Sequence, residues 1–428
     1  MGDPQHTYPY VTPGDLRRED RFSHVLAVGS ELLTTAMLMT FAIEDILDGQ
    51  SVVWIGSDRS ARMLLNFIPG DRVNDVIFFS PGSAEDRARP TAWNQLKDTA
   101  PDARYRVAEA VTAAFASIYQ QFWGPQSDFI LRTAVLANLD AGNASLLGCL
   151  ATIANTRYRS MVRRHIKDPL VRGWWEEFER WPNKKKQDAA APLQNKLGAL
   201  LTSWPLRNIL CQPRNKLSVD DVFNGKILIV ELTSAHIGSK EKAALFGSLL
   251  IHDLIRAGQE RGPSGTPECF VYINNAAAFA PAVIEEFVVG SDSPFSIALA
   301  TTHLDRLEPG LERALMSACG TMLASRSSYA DAQTFYKHFG EITMKEREFA
   351  AMGWNEFAVK ASAGRPYWDT FKVFPYDQFT RYWKSESIIA RSLDRYGTPR
   401  SKVERAIRAW YRRSLADEEP PPSPRKRR

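Results

Sequence analysis

The chain has 428 residues, of which 44% are hydrophobic, 24% charged and 11% aromatic, with a formal net charge of +5. That length suggests about two to three domains, and the apolar content is ample for a core; the composition excludes intrinsic disorder, collagen-like and coiled-coil architectures. The four cysteines (Cys149, Cys211, Cys269, Cys319) form no C-x-x-C pair, which argues against a disulfide scaffold or zinc ribbon and for a reducing, cytoplasmic setting.

Residues 23–28 read as a buried strand, and residues 31–48 as a helix that ends at Gly49. Strands follow at 51–56 and 75–80, and this β-α-β spacing predicts a parallel sheet with helical crossovers. From Trp93 the period changes. Val107, Val111, Phe115, Ile118 and Phe122 recur at helical spacing, so residues 93–216 are expected to form an all-helical insertion. Trp174, Trp175, Phe178 and Trp181 within it read as packing residues rather than a base-stacking platform.

The α/β pattern resumes with strands at 226–232, 268–274, 294–301 and 320–326 and a long helix at 240–261. An antiparallel hairpin is expected from 354–362 and 367–374 across Gly364-Arg-Pro366, then a helical segment over 377–416. The Pro-rich basic tail at 417–428 has a disordered composition. Residues 1–92 and 217–376 thus read as two parts of one RecA-like, nucleotide-binding type of α/β domain, split by the insertion. The most apolar early run, 32–43, lies between Glu31 and Glu44 and is too short to cross a bilayer. The N-terminus shows no secretion signal, so no integral membrane segment is expected.

Charge is uneven. Residues 1–92 carry 8 basic and 13 acidic residues, residues 93–216 carry 18 and 10, and residues 400–428 carry 10 and 4. Arg157, Arg159, Arg163, Arg164 and Lys167 fall close together with no acid among them. Such a cluster is either a site for phosphate backbones, through counterion release, or a solvated helix face.

Several segments resemble the soluble part of the type IV secretion coupling ATPases, the conjugative DNA-transfer group of the FtsK/HerA superfamily. They are Asp45-Ile-Leu-Asp-Gly-Gln-Ser-Val-Val-Trp-Ile55, residues 64–81, Phe122-Trp-Gly-Pro-Gln126 with Leu131-Arg-Thr-Ala-Val135, Asn195-Lys-Leu-Gly-Ala-Leu-Leu201, Asn224-Gly-Lys-Ile-Leu-Ile-Val-Glu-Leu232, and Tyr396-Gly-Thr-Pro-Arg-Ser-Lys-Val-Glu404. The resemblance runs through nearly the whole chain in order and implies a RecA-like P-loop NTPase-type fold with a mostly parallel sheet.

The catalytic motifs of that family are where this sequence departs. A phosphate loop needs glycines, a Lys on the β/γ oxygens and a Ser or Thr on Mg²⁺. Residues 27–35 here contain one glycine, Gly29, with Leu33 at the Lys position, Thr34 at the metal-binding hydroxyl and Thr35 beside it. At the end of the 268–274 strand, Asn274 and Asn275 stand where the family places a metal-binding Asp and a water-polarising Glu. Arg326 occupies the place of a trans-acting arginine finger, with a structural salt bridge as the other reading. Each lost group typically costs about 10²–10⁴ in rate, so two or three losses abolish useful hydrolysis.

Seven histidines are scattered without an H-E-x-x-H motif, no G-x-S-x-G elbow occurs, and Glu285 and Glu286 are adjacent helix positions that face apart. No metal site is expected. The resemblance therefore implies a pseudo-ATPase that binds DNA or a substrate and assembles with an active paralogous ATPase or secretion-system proteins, as a homo- or hetero-oligomer. Binding of ATP and Mg²⁺ is expected to be weak or absent. Peripheral attachment to the inner membrane would run through partners. The alternatives are an unconventional ATP-dependent DNA-translocating motor and a protein-recruiting adaptor that does not bind DNA.

Overall fold

The computed structural model describes residues 16–56, 59–97, 99–142, 144–290, 294–339, 346–353, 355–362, 367–370 and 378–415. Nine strands form one sheet: β1 (Val25–Val28), β2 (Ser51–Gly56), β3 (Val76–Phe79), β4 (Ile227–Glu231), β5 (Cys269–Ile273), β6 (Phe295–Thr301), β7 (Thr321–Ser325), β8 (Glu356–Lys360) and β9 (Tyr367–Thr370). Their order is β3-β4-β2-β5-β6-β1-β7-β8-β9. The first seven pair in parallel; β8 and β9 pair antiparallel at one edge. The hairpin expected near the C-terminus is present as β8 and β9, although its connection at 363–366 and the stretch 371–374 lie outside the described residues.

The parallel strands are apolar on both faces because helices cover both. Alternate residues enter two separate cores. Val25, Ala27, Val52, Trp54, Ile227 and Ile229 pack beneath the Glu31–Leu47 helix. Leu26, Val28, Val53, Ile55, Leu228 and Val230 face the other way, toward the Lys240–Arg261 helix. The Glu31–Leu47 helix ends where expected: Gly49 adopts φ +79°, a left-handed conformation that glycine reaches without steric cost, and donates its N–H to Ile46.

Between β3 and β4 the described residues contain helices and no named strand. The principal helices are Arg104–Ile118, Pro125–Asp140, Leu146–Ala154, Thr156–Arg163, Pro169–Arg180, Asn183–Thr202 and Trp204–Leu210. Their apolar faces join the core beneath the Lys240–Arg261 helix instead of closing on a core of their own. Trp175 and Phe178 are buried in it, and Trp174 and Trp181 pack edge to face at 5.3 Å, as packing residues do.

Two further helices follow β9. The Ser385–Tyr396 helix lies on β3, where Ser392 Oγ accepts the Phe78 N–H at 2.8 Å. The Arg400–Ser414 helix returns to the helical segment, with Arg400 4.0 Å over the Trp204 ring and Trp410 5.4 Å from Tyr158. The basic tail at 417–428, expected to be disordered, lies outside the described residues.

Candidate functional site

In a parallel α/β sheet, ligands bind beyond the carboxyl ends of the strands. That edge carries the residues singled out in the sequence. The connection from β1 to the Glu31–Leu47 helix consists of Gly29 and Ser30 alone. Gly29 has φ +126°, and a Cβ there would come within 2.8 Å of the Ser325 backbone oxygen. The glycine thus serves the close approach of β1 to the end of β7. Its N–H donates to Thr301 O at 3.1 Å, and the Ser30 N–H donates to Ser325 Oγ at 2.9 Å. Two amides that a phosphate loop would present to an anion are spent inside the sheet edge.

The helix start is equally closed. Leu33 is 2% exposed and packs in the apolar core with Val25 and Ala27, while its neighbour Leu32 is 60% exposed. Thr34 turns its hydroxyl back to the Ser30 and Glu31 carbonyls at 3.2 and 3.3 Å. Thr35 Oγ1 donates to Asn274 Oδ1 at 3.1 Å. Thr35 is thus the hydroxyl that reaches the end of β5, whereas the sequence register gave the metal-binding role to Thr34.

Asn274 is 3% exposed and its N–H donates to Ile55 O at 2.9 Å. Asn275 sits at φ +72°, a left-handed conformation that Asn tolerates better than most side chains. Two carboxamides at this edge supply neither a base nor a charged ligand for Mg²⁺. The carboxylate at the end of β4, Glu231, is engaged with Arg62 Nε at 3.0 Å and Ser80 Oγ at 2.6 Å. Arg62 also binds Glu85, whose carboxyl its hydrogen bonds hold down to about 2. Arg326 is exposed and forms no ion pair among the described residues. The residues present do not fit a bound Mg-nucleotide: the loop is too short to wrap phosphates and no cation faces them from Leu33. No group of three His, Cys, Asp or Glu able to hold a metal occurs among the described residues.

The basic cluster separates in three dimensions. Arg159 is 3% exposed, bonded to Glu179 at 2.6 Å and to the Thr152 and Ile153 carbonyls, with Phe178 under its guanidinium at 5.0 Å. It is a packing cation and leaves the expected DNA-contacting set. Arg157 and Arg163 are half-buried, and Arg164 and Lys167 are exposed. What the sequence did not reveal is their neighbour. The Arg400–Ser414 helix packs Val403, Ile407 and Trp410 inward, with Arg405, Arg408, Arg412 and Arg413 exposed. Its contact with Tyr158 brings the two basic zones of the sequence together. The i, i+4, i+7 apolar spacing at 403, 407 and 410 was the available signal.

Between them lies a cleft of about 440 Å³, with Lys97, His165 and Arg413 among its lining residues and, among the described residues, no Asp or Glu. A second cavity of about 220 Å³ lies where the Arg104–Ile118 and Lys240–Arg261 helices meet, and includes His252, whose pKa burial lowers to about 4. Among the described residues no helix is long and apolar enough to cross a membrane.

No protein-family model matches the sequence, and no curated protein matches it. Solved structures match in fold. The chain is similar to the bacterial conjugative coupling protein TrwBdeltaN70 at 12% identity and a TM-score of 0.65, covering 86% of this chain and 88% of that one. It is similar to the plasmid coupling protein TrwB in complex with a non-hydrolysable ATP analogue at 13% identity and 0.66, covering 86% and 89%. VirB4 of Thermoanaerobacter pseudethanolicus matches at 10% identity and 0.53, covering 85% and 93%. At these identities the likeness is one of fold: the chain has the mostly parallel RecA-type, P-loop NTPase-like fold that the sequence pattern implies.

Proposed function

We propose that this protein is a catalytically inactive relative of the conjugative coupling proteins, working in type IV secretion as a DNA- or substrate-binding and assembly module. The observation that carries the reading is the direct Thr35–Asn274 hydrogen bond beside a two-residue β1–helix connection. The strand-end partner of that hydroxyl is a neutral carboxamide, where an active site of this fold uses a carboxylate to hold a metal. Nucleotide hydrolysis would come from a separate active ATPase subunit, within a homo- or hetero-oligomer of secretion-system proteins. The protein would be cytoplasmic and reach the inner membrane through those partners.

The DNA-binding half of the reading is supported by the exposed Arg164 and Lys167, just beyond the Thr156–Arg163 helix, and by Arg408 and Arg412 on the adjoining Arg400–Ser414 helix. Phosphate contacts of this kind release counterions, so affinity for short duplex DNA is expected to fall linearly with the logarithm of salt concentration. An unconventional motor retains only the exposed Arg326 in its favour.

Titration calorimetry with Mg-ATP, run beside a phosphate-release assay, tests the inactive reading. The expected result is no saturable heat and no turnover. Saturable binding coupled to hydrolysis would overturn it.

A further inference from the structure

The cleft between the Thr156–Arg163 and Arg400–Ser414 helices has a composition that a purely electrostatic DNA surface does not need. Its floor is apolar: Leu147, Met161, Ile407 and Trp410 line it, each partly buried. Its rim is cationic, with His165 and Arg413 exposed and Lys97 half-buried, its ammonium 3.3 Å from Gly142 O. Among the described residues, no acidic residue lines it. Three carboxylates on the surrounding described elements already have partners. Asp140 holds Arg104 at 2.8 Å, Asp168 caps its own helix, and Glu404 holds Arg400 at 2.6 Å.

We infer that this cleft docks a segment of a partner protein in which acidic residues flank apolar anchor side chains. The cleft, about 440 Å³, is large enough to take anchor side chains. Burying Leu- or Phe-type anchors on the floor supplies affinity, and carboxylates at the rim supply orientation and rate of encounter. A nucleic-acid strand suits the cleft less well. The Trp410 ring already packs against Tyr158, and aliphatic side chains complete the floor, so it offers no free stacking platform. The inference rests on the substrate-binding half of the proposed function and is independent of the closed nucleotide edge.

The test is a selection of random short peptides displayed on phage against the full chain, followed by fluorescence anisotropy of the enriched peptides. Enrichment of acidic sequences with apolar anchors is expected. Arg413→Glu should weaken them on the order of tenfold, and Met161→Glu should remove binding by placing a charge on the floor. Arg326→Glu, at the distant sheet edge, should leave affinity unchanged. Enrichment of basic or anchor-free sequences, no enrichment at all, or equal competition by oligothymidylate would overturn the inference. These readouts do not involve ATP. A failure here therefore stays separate from a failure of the calorimetric test, and a surface that binds duplex DNA but no peptide would sink this inference alone.

Discussion

Thr35 Oγ1 donates to Asn274 Oδ1 at 3.1 Å, which ties the second turn of the Glu31–Leu47 helix directly to the end of β5. Both side chains are buried, at 8% and 3% exposure. An Asp at 274 would still accept the Thr35 proton, but it would bury a charge and lose the amide donor. Asn274→Asp is therefore expected to cost on the order of 1–3 kcal/mol near neutral pH. Burial raises the pKa of the new carboxyl above its unfolded value near 4, so the loss should grow as pH rises through that window. Urea denaturation at acidic and alkaline pH measures it. Restoration of stability by millimolar Mg²⁺ would mean that a metal site persists, contrary to the proposed function.

Leu33 presents a sharper case. Replacing it with the lysine of an active phosphate loop buries an ammonium among Val25, Ala27 and their neighbours. Leu33→Lys should destabilise the fold by ~2–4 kcal/mol without conferring ATP binding, whereas Leu33→Met should cost less than about 1.5 kcal/mol. Thermal unfolding of the two variants, with and without Mg-ATP, decides the point. A nucleotide-dependent rise in melting temperature for Leu33→Lys alone would show a usable pocket.

The sheet was legible because its strands are short, continuous apolar runs bounded by turn residues, and because parallel strands need covering on both faces. The Ser51–Gly56 strand and the Lys240–Arg261 helix lie where the sequence places them. The helical segment was legible as helical, but not its fusion with the sheet's core, since periodicity reports which face is apolar and not what covers it. At the edge, the absence of a second glycine and of acidic residues at 274 and 275 could be read directly. That Thr35 rather than Thr34 reaches β5 could not, because neighbouring helix positions differ by about 100° and the register follows from where the helix begins. Arg159 was misplaced for a related reason. A run of like charges looks solvated in sequence, yet one member lies on the buried side of its helix beside Phe178 and Glu179.

That difference predicts opposite phenotypes within one cluster. Arg159→Ala removes a buried cation from half-buried Glu179 and from two backbone carbonyls and should cost about 1–3 kcal/mol, with DNA affinity of the folded fraction unchanged. Arg164→Glu, at an exposed position, should leave stability within ~0.5 kcal/mol and flatten the salt dependence of DNA binding by about one contact. Chemical denaturation and anisotropy across a salt series report both. Loss of DNA binding in Arg159→Ala at full folding would contradict the buried placement.

Glu44 gives the protein a defined pH dependence. Arg21, 3% exposed, bonds Asp45 through Nη1 and Nη2 at 3.2 Å, and Tyr272 also donates to Asp45. Glu44 Oε2 is the second carboxylate on the same cation, at 3.7 Å. Burial pushes its carboxyl up to about 7, despite the attraction of Arg21. Folded Glu44 thus holds a proton that the unfolded chain releases near pH 4.5. The folded state binds more protons through the interval between these values, so stability falls as pH rises across it and is unaffected by this group below it. Glu44→Gln mimics the protonated form. It should therefore stabilise the fold by on the order of 2 kcal/mol near pH 8 and by almost nothing near pH 4. Guanidinium denaturation at the two pH values checks this; equal increments at both would assign the effect to packing rather than to the proton.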